Sequence, residues 1–217
     1  MENEKQFIRN EINRLKQSLP YKTAASLSEK ICRRLIQTEA FQKAHCIALY
    51  YSIPGEVRTI ALIEEWYKKK IIVLPVVSGN HMNFYPYTGK EHMITGSLNI
   101  PEPKMPETDI LETDIPETDI PETKLSGTPP GPGNMPAKLI PAENIDLFIV
   151  PGIAFDRECN RLGRGKGFYD TFLSGTNKPA IGLCFGFQLK EHIPAEAHDR
   201  KMTMVITEDG YHPGGSA

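Results

Sequence analysis

The 217-residue chain predicts an α/β fold, a single domain with a mostly parallel sheet flanked by helices. Three observations predict it. Apolar runs of strand length (Cys46 to Tyr51, Ile71 to Val77, Ile145 to Val150, Ala180 to Phe185 and Met202 to Thr207) alternate with stretches of helical period, as parallel strands joined by helices require. Each run is continuous rather than alternating, which suits a buried strand. Between the strand ending at Pro151-Gly152 and a helix opening at Phe168 lies a glycine-rich, basic loop, an arrangement that suits an anion site.

Taken in order, Glu4 to Leu19 reads as a helix, with Phe7, Ile8, Ile12, Leu15 and Leu19 recurring as one apolar stripe. Lys5 and Arg9 lie one turn apart on it and can point the same way. By itself such a pair reads as a solvated face. A second helix runs from Ala24 to Gln37, with Leu27, Ile31 and Leu35 on one face, and Thr38-Glu39 suits the cap of a short following turn. After the strand Cys46 to Tyr51 comes the loop Ser52-Ile53-Pro54-Gly55-Glu56-Val57-Arg58. Thr59 is then placed to cap a helix through Lys69, with Lys68, Lys69 and Lys70 at its negative pole. Glu56 thus stands at the carboxyl end of a strand and just before a helix, where open α/β sheets bind ligands, although a loop glutamate is by default solvated.

Ile71 to Val77 is the next strand, Gly79-Asn80 a turn, and His81 to Tyr87 a partner strand. Its Met82, Phe84 and Tyr85 suit core packing, or the flat apolar wall of a ligand pocket. Pro106 to Leu125 is four pentads (PETDI, LETDI, PETDI, PETKL), followed by a Gly/Pro-rich run from Gly127 to Pro136. Repeated proline and paired acids neither form a helix nor bury a core, so residues 101–140 read as an extended or disordered insertion. Beyond the basic loop, Phe187 to His192 reads as a turn or short helix. Met202 to Thr207 reads as the last strand, before an exposed glycine-rich tail.

In the loop itself, Asp156-Arg157-Glu158-Cys159-Asn160-Arg161-Leu162-Gly163-Arg164-Gly165-Lys166-Gly167-Phe168-Tyr169-Asp170, three glycines alternate with Arg164 and Lys166. Glycine lets the backbone approach a ligand, and the following helix start adds partial positive charge. Guanidinium and ammonium groups suit phosphate oxygens. This is a phosphate cradle, but neither of the two common ones. Asn160 stands where a Walker A loop needs its first glycine and Gly167 where it needs Ser or Thr. Phe168 stands where the Rossmann fingerprint needs its third glycine. Cations this dense repel one another unless an anion joins them.

The totals exclude several classes. The chain carries a net −2 with 40% hydrophobic residues, which fits a soluble domain and gives no sign of nucleic-acid binding. Residues 101–125 hold eight acids against two lysines, net −6, which leaves +4 on the remainder and favours an anionic ligand. No apolar run is long enough for a membrane span and no secretory leader is evident. Cys32, Cys46, Cys159 and Cys184 have no metal-type spacing, and a reducing cytoplasm is the expected compartment. The six histidines form no transition-metal cluster.

Phe155-Asp156, and then Arg161 through Asp170, closely resemble the signature of the 5-formyltetrahydrofolate cyclo-ligase (methenyltetrahydrofolate synthetase) family, and the resemblance extends over most of the chain. It implies a sheet like that of sugar-phosphate isomerases and CoA transferases. It also implies ATP- and Mg²⁺-dependent closure of 5-formyltetrahydrofolate to 5,10-methenyltetrahydrofolate, with release of ADP and phosphate. By that resemblance Lys5, Arg9, Arg161, Leu162, Gly163, Arg164, Gly165, Lys166, Gly167, Phe168 and Tyr169 hold ATP. Arg164 and Lys166 carry the catalysis. Glu56, Met82, Tyr85 and Phe168 meet the folate, and Asp170 and Asp199 the metal. A monomer or weak homodimer is expected.

Two residues depart from the family pattern. Cys159 replaces a usual glycine, at a cost of about 1 kcal/mol or more if the turn needs positive φ. Its thiol beside Arg157 and Arg161 is also a candidate for oxidation. Phe168 replaces a tyrosine, keeping a ring face and losing a hydroxyl. Two other readings of the residues stay open: a sugar-phosphate isomerase, which would want a general base near the cradle, and a phosphate-binding module whose acidic repeat recruits a partner.

Overall fold

The computed structural model describes residues 1–96, 99–106, 136–196 and 199–214. The pentads from residue 107 onward and the Gly/Pro-rich run up to residue 135 lie outside the described residues. The elements are α1 (Glu2–Ser18), α2 (Tyr21–Gln37), α3 (Glu39–Lys43), β1 (Cys46–Ala48), α4 (Ile60–Trp66), β2 (Ile71–Ser78) and β3 (His81–Pro86). Then come β4 (Met93–Thr95), β5 (Pro101–Pro103), β6 (Leu147–Pro151), β7 (Ala154–Asp156), β8 (Arg161–Leu162) and α5 (Phe168–Ser174). The described chain closes with β9 (Ala180–Leu183), β10 (Leu189–Lys190), β11 (Met204–Ile206) and β12 (Tyr211–Pro213).

The main sheet runs β12-β11-β9-β6-β1-β2-β3. Its five central strands are parallel, and β3 and β12 add antiparallel edges. The continuous apolar runs are explained by burial on both faces. Alternate residues divide between two cores, as the two-residue strand period requires. Ile47, Ile72, Leu74, Leu147, Ile149, Ile181 and Ile206 pack with Ile31 and Leu35 of α2, Phe41 of α3 and Ile63 of α4. Cys46, Ala48, Val73, Phe148, Val150, Ala180 and Val205 face the other way, against Leu173 of α5 and Phe155. A third cluster seats Ile8 and Ile12 of α1 on Ile153, Ala154, Leu162 and Ile193. That seat is built on the small sheet β10-β7-β8.

Several boundaries differ from the sequence expectation. The stripe on α1 is narrower than five residues: Phe7 is 68% and Leu15 39% exposed, because the small sheet offers a contact only one or two residues wide. Thr38 does cap α3, accepting from Phe41 N at 3.2 Å. Thr59 does not cap α4 with its side chain; its hydroxyl donates to the Tyr50 carbonyl instead. The helix ends at Trp66 rather than Lys69. Lys70 Nζ donates to the carbonyls of Gln42 and Ala44, so it serves the end of α3. Met202 to Thr207 is not the last strand, since β12 pairs antiparallel beyond it. Phe187 to His192 holds a 3₁₀ turn and then β10. Among the described residues no helix is long and apolar enough to cross a membrane.

Candidate active site

The basic loop is anchored by a buried aspartate. Asp156 is fully buried at the end of β7. Its Oδ1 accepts from the backbone N–H of Glu158 (3.0 Å) and Asn160 (2.9 Å). Its Oδ2 accepts from Asn160 Nδ2 (2.8 Å) and Ile193 N (2.9 Å). Four donors on one carboxylate offset the desolvation of its charge and fix the turn that carries the chain from β7 into β8. Cys159, inside that turn, has φ +65°, so cysteine occupies a conformation that favours glycine. Its thiol is buried, donates to the His212 carbonyl at 3.3 Å, and is pushed up to about 11 by burial. This corrects the expectation of an oxidisable thiol, because a protonated, enclosed sulfur is a poor nucleophile.

Beyond β8 the loop borders a cavity. Its lining includes Arg161, Gly163, Arg164, Lys166, Gly167, Phe168, Tyr169 and Asp170 from the loop and α5. Tyr50, Tyr51 and Glu56 come from the end of β1 and its loop, and Pro151, Gly152 and Ile153 from the end of β6. Pro75, Val77, Met82, Ile100, Pro101 and Glu102 form an apolar wall relieved by one acid. Gly165 (φ +93°) and Gly167 (φ +70°) hold left-handed conformations, which side-chain-bearing residues seldom adopt. The turns so formed bring Arg164 and Lys166 to the same cavity. Arg164 Nη2 donates to Glu56 Oε1 at 2.9 Å. Lys166 is exposed and pairs with no acid among the described residues. Arg161 is nearly enclosed, its side chain 4% exposed. It reaches Asp170 Oδ1 at 2.7 Å and lies over the Tyr169 ring at 5.5 Å, with Nε buried and unpartnered. Burial, and then the Glu56 charge, raise the Tyr169 phenol, so at neutral pH it serves as a hydroxyl.

The helix α1 meets this loop from outside the lining. Arg9 Nε donates to the Gly163 carbonyl at 3.2 Å, and its Nη1 pairs with Glu2 at 2.7 Å. Lys5 is drawn to Glu196 (3.4 Å) and Asp199 (3.7 Å). Arg9 thus braces the glycine loop, and Lys5, Arg9, Leu162 and Asp199 all lie outside the cavity lining. Asp199 Oδ2 also accepts from Glu196 N at 2.8 Å. Among the described residues no group of three or more His, Cys, Asp or Glu side chains converges as a metal cage. Tyr85 is buried but absent from the lining. Three positions separate it from Met82, so the two side chains point to opposite faces of β3.

Sequence reasoning missed several residues at or beside the cavity. Tyr50 and Tyr51 line the cavity, and their place at a strand's carboxyl end could have marked them. Lys16 of α1 packs its stem against Gly55, where a Cβ would meet its Cδ at 3.3 Å, and its Nζ lies 3.5 Å from the Gly152 carbonyl. Burial lowers this ammonium to about 8, against a raising effect of Glu56 and a further lowering by Arg164. No local pattern distinguishes Lys16 from the other lysines on a solvated helix face.

Comparison with known proteins places these features in a family. The model of the 5-formyltetrahydrofolate cyclo-ligase family matches residues 1–115 and 107–208. The mouse 5-formyltetrahydrofolate cyclo-ligase is 27% identical over 217 residues, covering 94% of each chain. That of Haemophilus influenzae is 29% identical over 202 residues, covering 90% of this chain and 92% of its own. The solution structure of 5,10-methenyltetrahydrofolate synthetase from Aquifex aeolicus superposes with a TM-score of 0.77 at 27% identity, over 98% of this chain and 94% of that one. With family signature, sheet and length in agreement, the chain belongs to the 5-formyltetrahydrofolate cyclo-ligase family of enzymes.

Proposed function

We propose that this enzyme closes 5-formyltetrahydrofolate to 5,10-methenyltetrahydrofolate, using ATP and releasing ADP and phosphate. The observation that carries it is one cavity lined both by the glycine-spaced cations Arg164 and Lys166 and by the apolar Pro75, Val77, Met82 and Ile100. The first set suits a triphosphate and the second a flat heterocycle.

A formamide oxygen is a poor leaving group. Transfer of the terminal phosphoryl group of ATP to that oxygen turns it into a phosphate ester of an iminium carbon. The N10 amine attacks this carbon and loses its proton, and the C–O bond breaks, so phosphate departs with the formyl oxygen. Phosphoryl transfer asks for alignment and charge neutralisation more than for a protein nucleophile. Lys166 and Arg164 supply neutralisation. Arg161, enclosed and braced by Asp170, supplies a fixed charge behind them, and Arg9 holds the loop through Gly163. Phe168 and Met82 offer surfaces to the pteridine, and Glu56 accepts from its N–H groups.

A magnesium ion bound with ATP would neutralise phosphate charge. Magnesium commonly takes one or two carboxylates together with phosphate oxygens and water, so it needs few protein ligands. We assign that carboxylate to Asp170, which lines the cavity and would share its charge between Arg161 and the metal, whereas Asp199 lies outside the lining.

The test is the near-ultraviolet absorbance of the conjugated methenyl product on mixing protein, Mg-ATP and 5-formyltetrahydrofolate. One ADP should form per product, with no signal when any component is omitted. Product formation without ATP, or none with all components present, would overturn the proposal.

A further inference from the structure

Glu102 has no part in the chemistry above, yet it stands in the same cavity wall and is only 5% exposed. The wall around it is Pro75, Val77, Met82, Ile100 and Pro101, without another charge. Burial raises its carboxyl above the ordinary glutamate range, while a backbone hydrogen bond from Val77 pulls the other way. Glu102 lies on β5, paired with Ile94 of β4. Gly96 N donates to the Ile100 carbonyl at 2.8 Å, and the glycine lies so close that a Cβ there would fall 2.1 Å from Glu102 Cδ. An acid that served only solubility would point from this edge into water. Here Gly96 leaves room for the carboxyl to lie against an apolar surface, where it is costly unless it accepts hydrogen bonds.

Polar groups set singly on an apolar pocket wall orient a ligand and select it. The cations of the cavity belong to the glycine loop, and Glu56 already accepts from Arg164 Nη2 and Ile53 N. We propose that Glu102 is a specificity-determining residue. It accepts hydrogen bonds from the amino and ring N–H edge of the bound pteridine and sets the ring flat against Val77 and Met82. The proposal rests on the folate reading and deepens it. Glu56, tied to the phosphate loop, serves the end of the heterocycle near the transferred phosphoryl group, and Glu102 serves the opposite end.

The experiment compares wild type with Glu102→Gln, using 5-formyltetrahydrofolate and its analogue lacking the 2-amino group. The variant is expected to raise KM for the folate about ten-fold or more, because a site built to pair an N–H loses that pairing. KM for ATP should stay within about three-fold, since the phosphate loop is untouched. The wild type's preference for the amino-bearing folate should shrink by the same factor as KM rises, an effect that a merely structural glutamate would not produce. Unchanged folate KM with unchanged preference overturns the proposal. Should the variant fail to fold, a wild type that accepts both folates equally also overturns it, and a wild type that rejects the analogue supports it. A wild type inert toward 5-formyltetrahydrofolate sinks the folate reading itself, whereas a normal wild type with an indifferent variant sinks this proposal alone.

Discussion

Arg164 Nη2 and Glu56 Oε1 lie 2.9 Å apart, joining the glycine-rich basic loop to the loop after β1 across 108 residues of sequence. The guanidinium is 57% exposed and the carboxylate 10%, so the pair is worth at most about 1 kcal/mol. Arg164 can therefore leave Glu56 for a phosphate at small cost. Glu56→Gln is predicted to act in opposite directions on the two ligands. Nucleotide affinity should hold or rise by up to about five-fold, as a competing anion is removed. KM for the folate should rise by about ten-fold as a charged acceptor is lost. Calorimetric titration with ATP and initial rates against folate check both, and weaker ATP binding would count against the ligand-gated pairing.

Lys166 has the opposite character, exposed at the cavity and paired with no acid among the described residues. Lys166→Ala is predicted to leave stability near wild type and lower kcat by about 10²–10³, the usual cost of removing one charge aimed at a transition state. Thermal melting and steady-state rates on the same preparation separate the two effects. Near-normal turnover would show that this ammonium does not meet the transferred phosphoryl group.

Asp156 is predicted to matter for folding before it matters for rate. Asp156→Ala leaves four donors around it without their acceptor, which should lower unfolding free energy by about 3 kcal/mol or more. Urea denaturation measures this directly. A loss under about 1 kcal/mol would mean that water replaces the carboxylate, contrary to its complete burial.

Lys16 supplies a pH signature. Its folded value of about 8 lies below the ordinary lysine value of 10.5. Between these two values the unfolded chain holds the extra proton, and stability gains with rising pH. The cost of burying the charge is full below pH 8 and gone above 10.5. Wild type should therefore gain stability relative to Lys16→Met as pH rises through that window. Paired denaturation curves at its two ends test the sign, and a constant difference would place the ammonium in water.

Much of the framework was legible because it depends on local pattern. Five continuous apolar runs became five parallel strands, and the basic loop between β6 and α5 could be read from glycine and charge spacing. What escaped notice depends on long-range contact. The pairs β7–β8 and β11–β12 are two or three residues long, too short for periodicity. The width of the α1 stripe is set by the small sheet it meets, and Phe7 and Leu15 fall outside that contact. Lys16 and Glu102 look like surface charges until the fold encloses them. The same limit separates Met82 from Tyr85, since only the register of β3 on β2 decides which side faces the cavity.

The central claim is that the cavity joins a nucleotide's terminal phosphoryl group to the formyl oxygen of a bound folate. The most direct measurement follows a heavy-oxygen label placed in that formyl group through one turnover. The account predicts one labelled oxygen in each phosphate released. Phosphate free of the label, with the methenyl product formed all the same, would contradict it.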